Sequence, residues 1–186
     1  MVNPDYNILT DWMFGKLASL LKNTEPNPNY PVLRMSLGEP SLGLPQFSKT
    51  ILDLNYKDWT RYPPTEAIPS FGNSILSYIK RRYPGAEKII NLDKNIVPVP
   101  GTREPLHLVG LLAKNLKVGK TTALVTNPFY HAWLAGSISS GSKIHWLNSS
   151  LENNYLPDIS SLPEQLLESS VIMYLCSPSN PQGSVA

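Results

Sequence analysis

The stretch TTALVTNPFYHAWLAGSISSGSKIHWL, residues 121–147, decides the fold. Thr122 to Thr126 is a short apolar and β-branched run followed by Asn127-Pro128, which reads as a strand. Tyr130 to Ser139 follows with the length and composition of a helix. A second strand, Lys143 to Leu147, comes next. Working outward, the same order recurs on both sides. Upstream, Ile96-Val97-Pro98-Val99 reads as a strand, followed by Pro100-Gly101-Thr102 and by Leu106, Val109, Leu112 and Ala113 at helical spacing. Downstream, Leu162 to Leu167 is a predicted helix and Val171 to Leu175 a predicted strand. Alternation of this kind requires crossover helices, so an α/β fold is expected, with a mostly parallel sheet, flanking helices and right-handed connections.

The amino-terminal third is less regular. Thr10 or Asp11 is placed to cap a helix through Leu20 carrying Met13, Leu17, Leu20 and Leu21 on one face, and TEPNPNYP ends it. Val32 to Leu37 is a predicted strand, LGEPSLGLP a sharp turn, and Gln46 to Leu54 a helix. Phe71, Ile75, Ile79 and Tyr83 share one face of a further helix, with Lys80, Arg81 and Arg82 in its last turn, where cations suit the helix dipole. Pro84-Gly85 stops it.

Composition narrows the functional classes. The chain has 186 residues, 41% hydrophobic and 16% charged, enough to bury a core. Sixteen basic against fourteen acidic residues leave +2, and the charges are scattered, so nothing marks a nucleic-acid or anionic-lipid surface. Pro, Gly, Lys or Asn interrupts every apolar run, so no membrane span is expected. Cys176 is the single cysteine, which excludes an internal disulfide and a cysteine-rich zinc site. The opening MVNPDYNILTDW has no basic and apolar signal-peptide pattern, so a cytoplasmic location is the expectation. Proline, at 18 residues, is about twice its ~5% average usage, so many connections are turns of fixed shape.

In open α/β sheets ligands sit beyond the carboxyl ends of the strands, which directs attention to three loops. In Pro100-Gly101-Thr102-Arg103-Glu104, glycine lets a backbone approach closely and the helix start offers free N–H groups to an anion; the plain alternative is a Thr102 N-cap with Pro105 in the first turn. Its spacing matches neither a P-loop nor a dinucleotide fingerprint. Asn127-Pro128-Phe129-Tyr130-His131-Ala132-Trp133 offers an aromatic face for a planar ring, or simply core packing. Ser177 to Gly183 is a polar turn able to aim the Asn180 amide at a ligand oxygen, or merely to reverse the chain.

Taken in order, these segments resemble the first half of the class I/II, fold-type-I aminotransferases, which use pyridoxal 5′-phosphate (PLP). The resemblance runs from about Asn3 to Ala186. It is carried by Ser36-Leu37-Gly38-Glu39-Pro40, Tyr62 ahead of Ile68-Pro69, Pro100 to Glu104, Asn127-Pro128-Phe129-Tyr130 and Ser179-Asn180-Pro181-Gln182-Gly183. Leu156-Pro157-Asp158 to Ala186 looks most like the succinyldiaminopimelate aminotransferase branch. The resemblance implies a partial PLP-transferase fold, with residues 1–60 as arm and small-domain segment and 61–186 as the first part of the large PLP-binding domain. It implies a PLP-phosphate cup at Gly101, Thr102 and Arg103, ring stacking by Tyr130 and a hydrogen bond from Asn180 to the ring's phenolic oxygen. By the same resemblance Gly38 lies against the substrate carboxylate, and Tyr62 reaches the cofactor phosphate of a neighbouring subunit, so a homodimer is expected. Where the family usually has Ser, Ala or Thr followed by Lys or Gln, this chain has Arg103-Glu104. A backbone contact survives that change; a side-chain role does not follow.

Transamination of an amino acid and a 2-oxo acid also needs a Schiff-base lysine, a carboxylate for the pyridinium nitrogen and an arginine for the substrate carboxylate. In the family all three follow the Asn-Pro-x-Gly turn, and the sequence here runs three residues past Gly183. The expectation is therefore an amino-terminal part, inactive alone and completed by a chain carrying the second half. A non-catalytic remnant or partner module for a phosphate-bearing ligand is the alternative, and a nucleotide-binding α/β protein a third reading. His107 and His145 read as packed or half-exposed side chains, whereas His131, beside Tyr130, is placed to donate a hydrogen bond to a ligand. No histidine pair has zinc-ligand spacing. Cys176 reads as a buried small hydrophobe at a strand end, and Glu164 with Glu168 as a solvent-facing pair.

Overall fold

A computed structural model describes residues 6–10, 13–33, 35, 38–40, 42–62 and 69–186. The helices in the first part of the chain are α1 (Tyr6–Thr10), α2 (Met13–Leu21), α3 (Gln46–Leu54), α4 (Pro69–Arg82) and α5 (Leu92–Asn95), with 3-10 turns at Tyr56–Thr60 and Ala86–Lys88. There follow α6 (Arg103–Leu116), β1 (Thr122–Asn127), α7 (His131–Ser139), β2 (Lys143–Asn148), α8 (Glu164–Glu168) and β3 (Ser170–Tyr174). By packing, the chain divides into two compact units, Met1–Asn23 with Val99–Ala186, and Thr24–Pro98. The family layout set its boundary at residue 60, inside the second of these.

The first unit is built on a sheet of order β2-β1-β3, parallel throughout, as the alternation of strands and helices requires. Thr122 to Asn127 pairs in unbroken register with Lys143 to Asn148. On the other side Thr122 pairs with Ser170 and, after a one-residue shift, Ala123 with Ile172. Central β1 is the strand whose sequence is apolar on both faces, and Ala123, Leu124 and Val125 are fully buried. Leu124, Val125 and Ile138 each remove a whole aliphatic side chain from water, about 1.5–3 kcal/mol apiece as an upper estimate. Helix α7 is buried nearly all round, so its Ser137 hydroxyl donates back to the Trp133 carbonyl at 2.8 Å rather than to water. Gly141, at φ +75, takes the left-handed turn that releases the chain from α7 into β2.

The second unit holds α3, α4, α5 and both 3-10 turns. Asn91 caps α5, its side-chain oxygen accepting from the N–H groups of Asp93 and Lys94 at 3.0 and 3.2 Å. Gly85, at φ +98, ends the α4 segment where Pro84-Gly85 was expected to. Gly72 on α4 makes room for Leu92, whose Cδ2 would lie 3.0 Å from a Cβ there.

One expected strand does not form, and another shows no strand among its described residues. Ile96 to Val99 runs outside any sheet, because Pro98 and Pro100 have no N–H to give to a ladder. Val32, Leu33 and Met35 are exposed and unpaired in any sheet, while Arg34, Ser36 and Leu37 lie outside the described residues. The helix expected up to Leu20 is α2, preceded by α1; the Thr10 side chain and Asp11, its expected caps, lie outside the described residues.

Candidate functional site

Chain direction alone gathers the three loops. Helix α6 delivers its carboxyl end to the start of β1, so its amino end lies at the carboxyl edge of the sheet. Helix α7 leaves the carboxyl end of β1 and runs the same way. The segment after β3 emerges at that edge too. Thus Gly101-Thr102-Arg103, Asn127 to His131 and Ser177 to Gly183 share the carboxyl edge of a parallel sheet, the usual ligand-binding edge.

Side-chain packing then fixes the two helix starts against each other. Helices α6 and α7 cross where Gly110 meets Gly136: a Cβ on Gly136 would stand 2.4 Å from the His107 carbonyl oxygen, and one on Gly110 would stand 2.9 Å from the Gly136 carbonyl carbon. Gly110 is seven residues into α6 and Gly136 five into α7, so both helix starts lie on the same side, about 10 Å and 8 Å from the crossing. Arg103 and His131 begin these helices. The Arg103 charge adds to desolvation, the larger cause, in holding the His131 imidazole below its usual pKa of 6.5.

At the first loop, Gly101 has φ +95 and open space around it, and Thr102 is already in the right-handed helical region at φ −85, ψ −19. The Thr102 side chain makes no capping hydrogen bond, unlike the plain N-cap considered from sequence. Gly101, Thr102, Arg103 and Glu104 are all exposed, so α6 begins at the surface, where the first N–H groups of a helix have no partner within it.

At the second loop, Tyr130 is the residue before α7, with extended backbone, and its ring is half-buried. It lies 4.4 Å from the His131 ring, tilted by 55°, and meets Trp133 edge-on at 6.1 Å. Trp133 in turn stacks on Tyr174 at 5.4 Å and 12°. The tyrosine therefore has a solvent-accessible part and a firm base. Burial pushes the Tyr174 phenol up, against a smaller opposing effect of Ser137, and its hydroxyl donates to the Leu106 carbonyl at 3.1 Å.

The third loop is held by its own backbone. The Gly183 N–H donates to the Ser179 carbonyl and the Ser179 N–H to the Ser184 carbonyl, both at 2.7 Å, while the Ser184 N–H reaches the Ser179 hydroxyl at 3.0 Å. Asn180 sits at the tip of this closed turn, exposed. Cys176 is exposed rather than buried, its thiol donating to the Pro178 carbonyl at 3.0 Å.

Gly38 and Tyr62 belong to the second unit. Gly38 is exposed, with nothing within 4 Å of where a Cβ would be, and Tyr62 is 99% exposed. Their neighbours Ser36, Leu37 and Pro63 to Ile68 lie outside the described residues. Among the described residues no helix is long and apolar enough to cross a membrane, and no group of three or more His, Cys, Asp or Glu is placed to hold a metal.

Sequence reading missed Tyr174, Gly110 and Gly136, the residues beneath the loops, and left Trp133 open between an aromatic face and core packing; Trp133 is packed in the core. The spacing of Tyr130 and Trp133, three apart, was the available signal for a shared aromatic cluster. Nothing local distinguishes Gly110 or Gly136 from any helical glycine.

A parallel α/β sheet here brings an exposed helix start, an aromatic cluster and an amide-bearing turn to one edge, the arrangement of an α/β ligand-binding domain. Residues 30–186 match the family of class I and II aminotransferases, and the chain belongs to that family, whose members are PLP-dependent. It is 28% identical over 157 residues to the LL-diaminopimelate aminotransferase of Dehalococcoides mccartyi, covering 83% of this chain and 39% of that one. With the LL-diaminopimelate aminotransferase of Moorella thermoacetica it shares 23% over 182 residues, 96% of this chain and 44% of the relative. Among solved structures, an aminotransferase from Neisseria meningitidis superposes with TM-score 0.85 at 27% identity, covering 99% of this chain and 46% of that one. The aminotransferase AspB of Helicobacter pylori gives 0.79 at 26%, with 93% and 44% covered. The chain thus spans less than half the length of these relatives.

Proposed function

We propose that the three carboxyl-edge loops form part of a PLP site, and that the assembled protein transfers an amino group between an amino acid and a 2-oxo acid. The observation that carries this reading is the gathering of Gly101 to Arg103, Tyr130 and Asn180 at one sheet edge in a chain of this family. The residues suit the group. The exposed start of α6 can offer N–H groups to a phosphate ester, the Tyr130 ring has a base to stack from, and the Asn180 amide is exposed. When bound, PLP supplies a conjugated ring able to take up the electron pair left when a substrate Cα–H bond breaks.

In this reading the chain's own residues bind and orient. Thr102 and Arg103 donate backbone N–H groups to the phosphate. Tyr130 holds the ring plane, and Asn180 donates to the phenolic oxygen. Gly38 brings backbone against the substrate carboxylate. Tyr62, with its ring in solvent, is suited to reach a neighbouring subunit, which supports a homodimer or an assembly with a chain carrying the remaining half. The lysine that moves the substrate proton is assigned to polypeptide beyond these 186 residues. The relatives named for LL-diaminopimelate support diaminopimelate-type substrates, with the succinylated form as the finer assignment within the same chemistry. The cytoplasm is the assigned location.

The test is intact-mass measurement on protein isolated from its source cells and reduced with borohydride in the presence of PLP. A pyridoxyl adduct on a chain that contains this sequence, or that co-purifies with it, is expected. Absence of an adduct from every chain in the preparation would overturn the catalytic reading and leave a non-catalytic module.

A further inference from the structure

We propose that Tyr174, together with the glycine pair Gly110 and Gly136, acts as a positioning device that fixes the phosphate-binding turn at a set distance from the aromatic face. The inference rests on the PLP reading above and extends it to residues that touch no ligand. One face of the Tyr174 ring stacks on Trp133, whose edge meets Tyr130, so the phenol stands at the base of the ring-binding column. Its hydroxyl reaches the other half of the site, donating at 3.1 Å to the carbonyl of Leu106, only three residues into the helix that Arg103 begins. One side chain therefore holds both halves.

The glycines make this possible. A Cβ on Gly110 would lie 2.9 Å from the Tyr174 hydroxyl oxygen and obstruct it. A Cβ on Gly136 would lie 2.4 Å from the His107 carbonyl oxygen and force α6 away from α7. With no side chain between the two helix backbones, the spacing of their starts is set by backbone contact and has little slack. A ligand that engages both starts at once, an aromatic ring bearing a phosphate ester, gains from that fixed spacing. A ligand that engages only one gains nothing.

Tyr174→Phe and Gly136→Ala are made in the chromosomal gene, and the protein is purified as its cells assemble it. Dissociation constants are then measured for PLP, for pyridoxal, which lacks the phosphate, and for inorganic phosphate. Tyr174→Phe, which keeps the ring and removes only the hydroxyl, is expected to weaken PLP by about three- to tenfold while pyridoxal and phosphate are unchanged. Gly136→Ala is expected to act in the same direction and more strongly. If Gly136→Ala does not fold, Tyr174→Phe decides the matter alone. A variant with a lower melting temperature but an unaltered ratio of PLP to pyridoxal affinity would assign Tyr174 to packing only and overturn the inference, while the PLP reading stands. Wild-type protein that binds no PLP would overturn both.

Discussion

The two units of this chain differ in where their apolar side chains go. In the first, β1 lies between two parallel neighbours, and Leu124, Val125 and Ile138 are sealed from water. In the second, Gly72 is the sole buried residue among those described, while Leu42, Leu44, Leu54 and Trp59 stand 74–99% exposed. Helices α3 and α4 are as clearly patterned as anything in the first unit. Periodicity identifies an apolar face; it does not supply what covers that face. The second unit holds its shape through local devices such as the Asn91 cap and the Gly72 notch, and these are worth far less than a closed core.

That contrast can be broken or sharpened by substitution. The largest effect is expected at the centre of β1, where Leu124→Ala should cost about 2–5 kcal/mol in denaturant unfolding. Leu44→Ala, at a position 83% exposed, should stay within about 0.5 kcal/mol. Equal losses would abolish the distinction between the units. Next comes Gly136→Ala, expected to cost about 1–3 kcal/mol through overpacking against His107. Gly101→Ala follows at about 1 kcal/mol, since its φ of +95 strains any L side chain although the surrounding space is open. It should also weaken phosphate binding.

The smallest effect concerns pH. His131 is held below its usual pKa in the folded chain, so the unfolded chain takes up the proton first as pH falls. The stabilisation from the neutral imidazole is complete above pH 6.5 and declines as pH drops through the lowered folded value. His131→Gln should flatten the fall in melting temperature on that acid side and leave the curve above pH 7 unchanged. An unchanged acid limb would show that burial of His131 beside Arg103 does not lower its pKa enough to affect stability.

Sequence made the central strands legible because β1, β2 and β3 are continuous runs bounded by turn residues, and their helices sit between them. It pointed to the loops holding Gly101 to Arg103, Tyr130 and Asn180 by looking past strand ends, and all three stand at the carboxyl edge of the sheet, although the first follows no strand. It failed at Ile96 to Val99, where apolar content suggested a strand that Pro98 and Pro100 cannot complete. It failed again at Gly110, Gly136 and Tyr174, whose importance lies in a crossing between distant segments. Pattern reading works along the chain, whereas these contacts join Gly110 with Gly136 and Leu106 with Tyr174.

The measurement that bears most directly on the site is amide hydrogen exchange with and without PLP, read residue by residue on the protein as its cells assemble it. Slowed exchange at Thr102 to Glu104 and at Ser179 to Gly183, with β1 unchanged, is the expected result. Slowing spread evenly over the first unit, or confined to the second, would contradict a cofactor site at the carboxyl edge of this sheet.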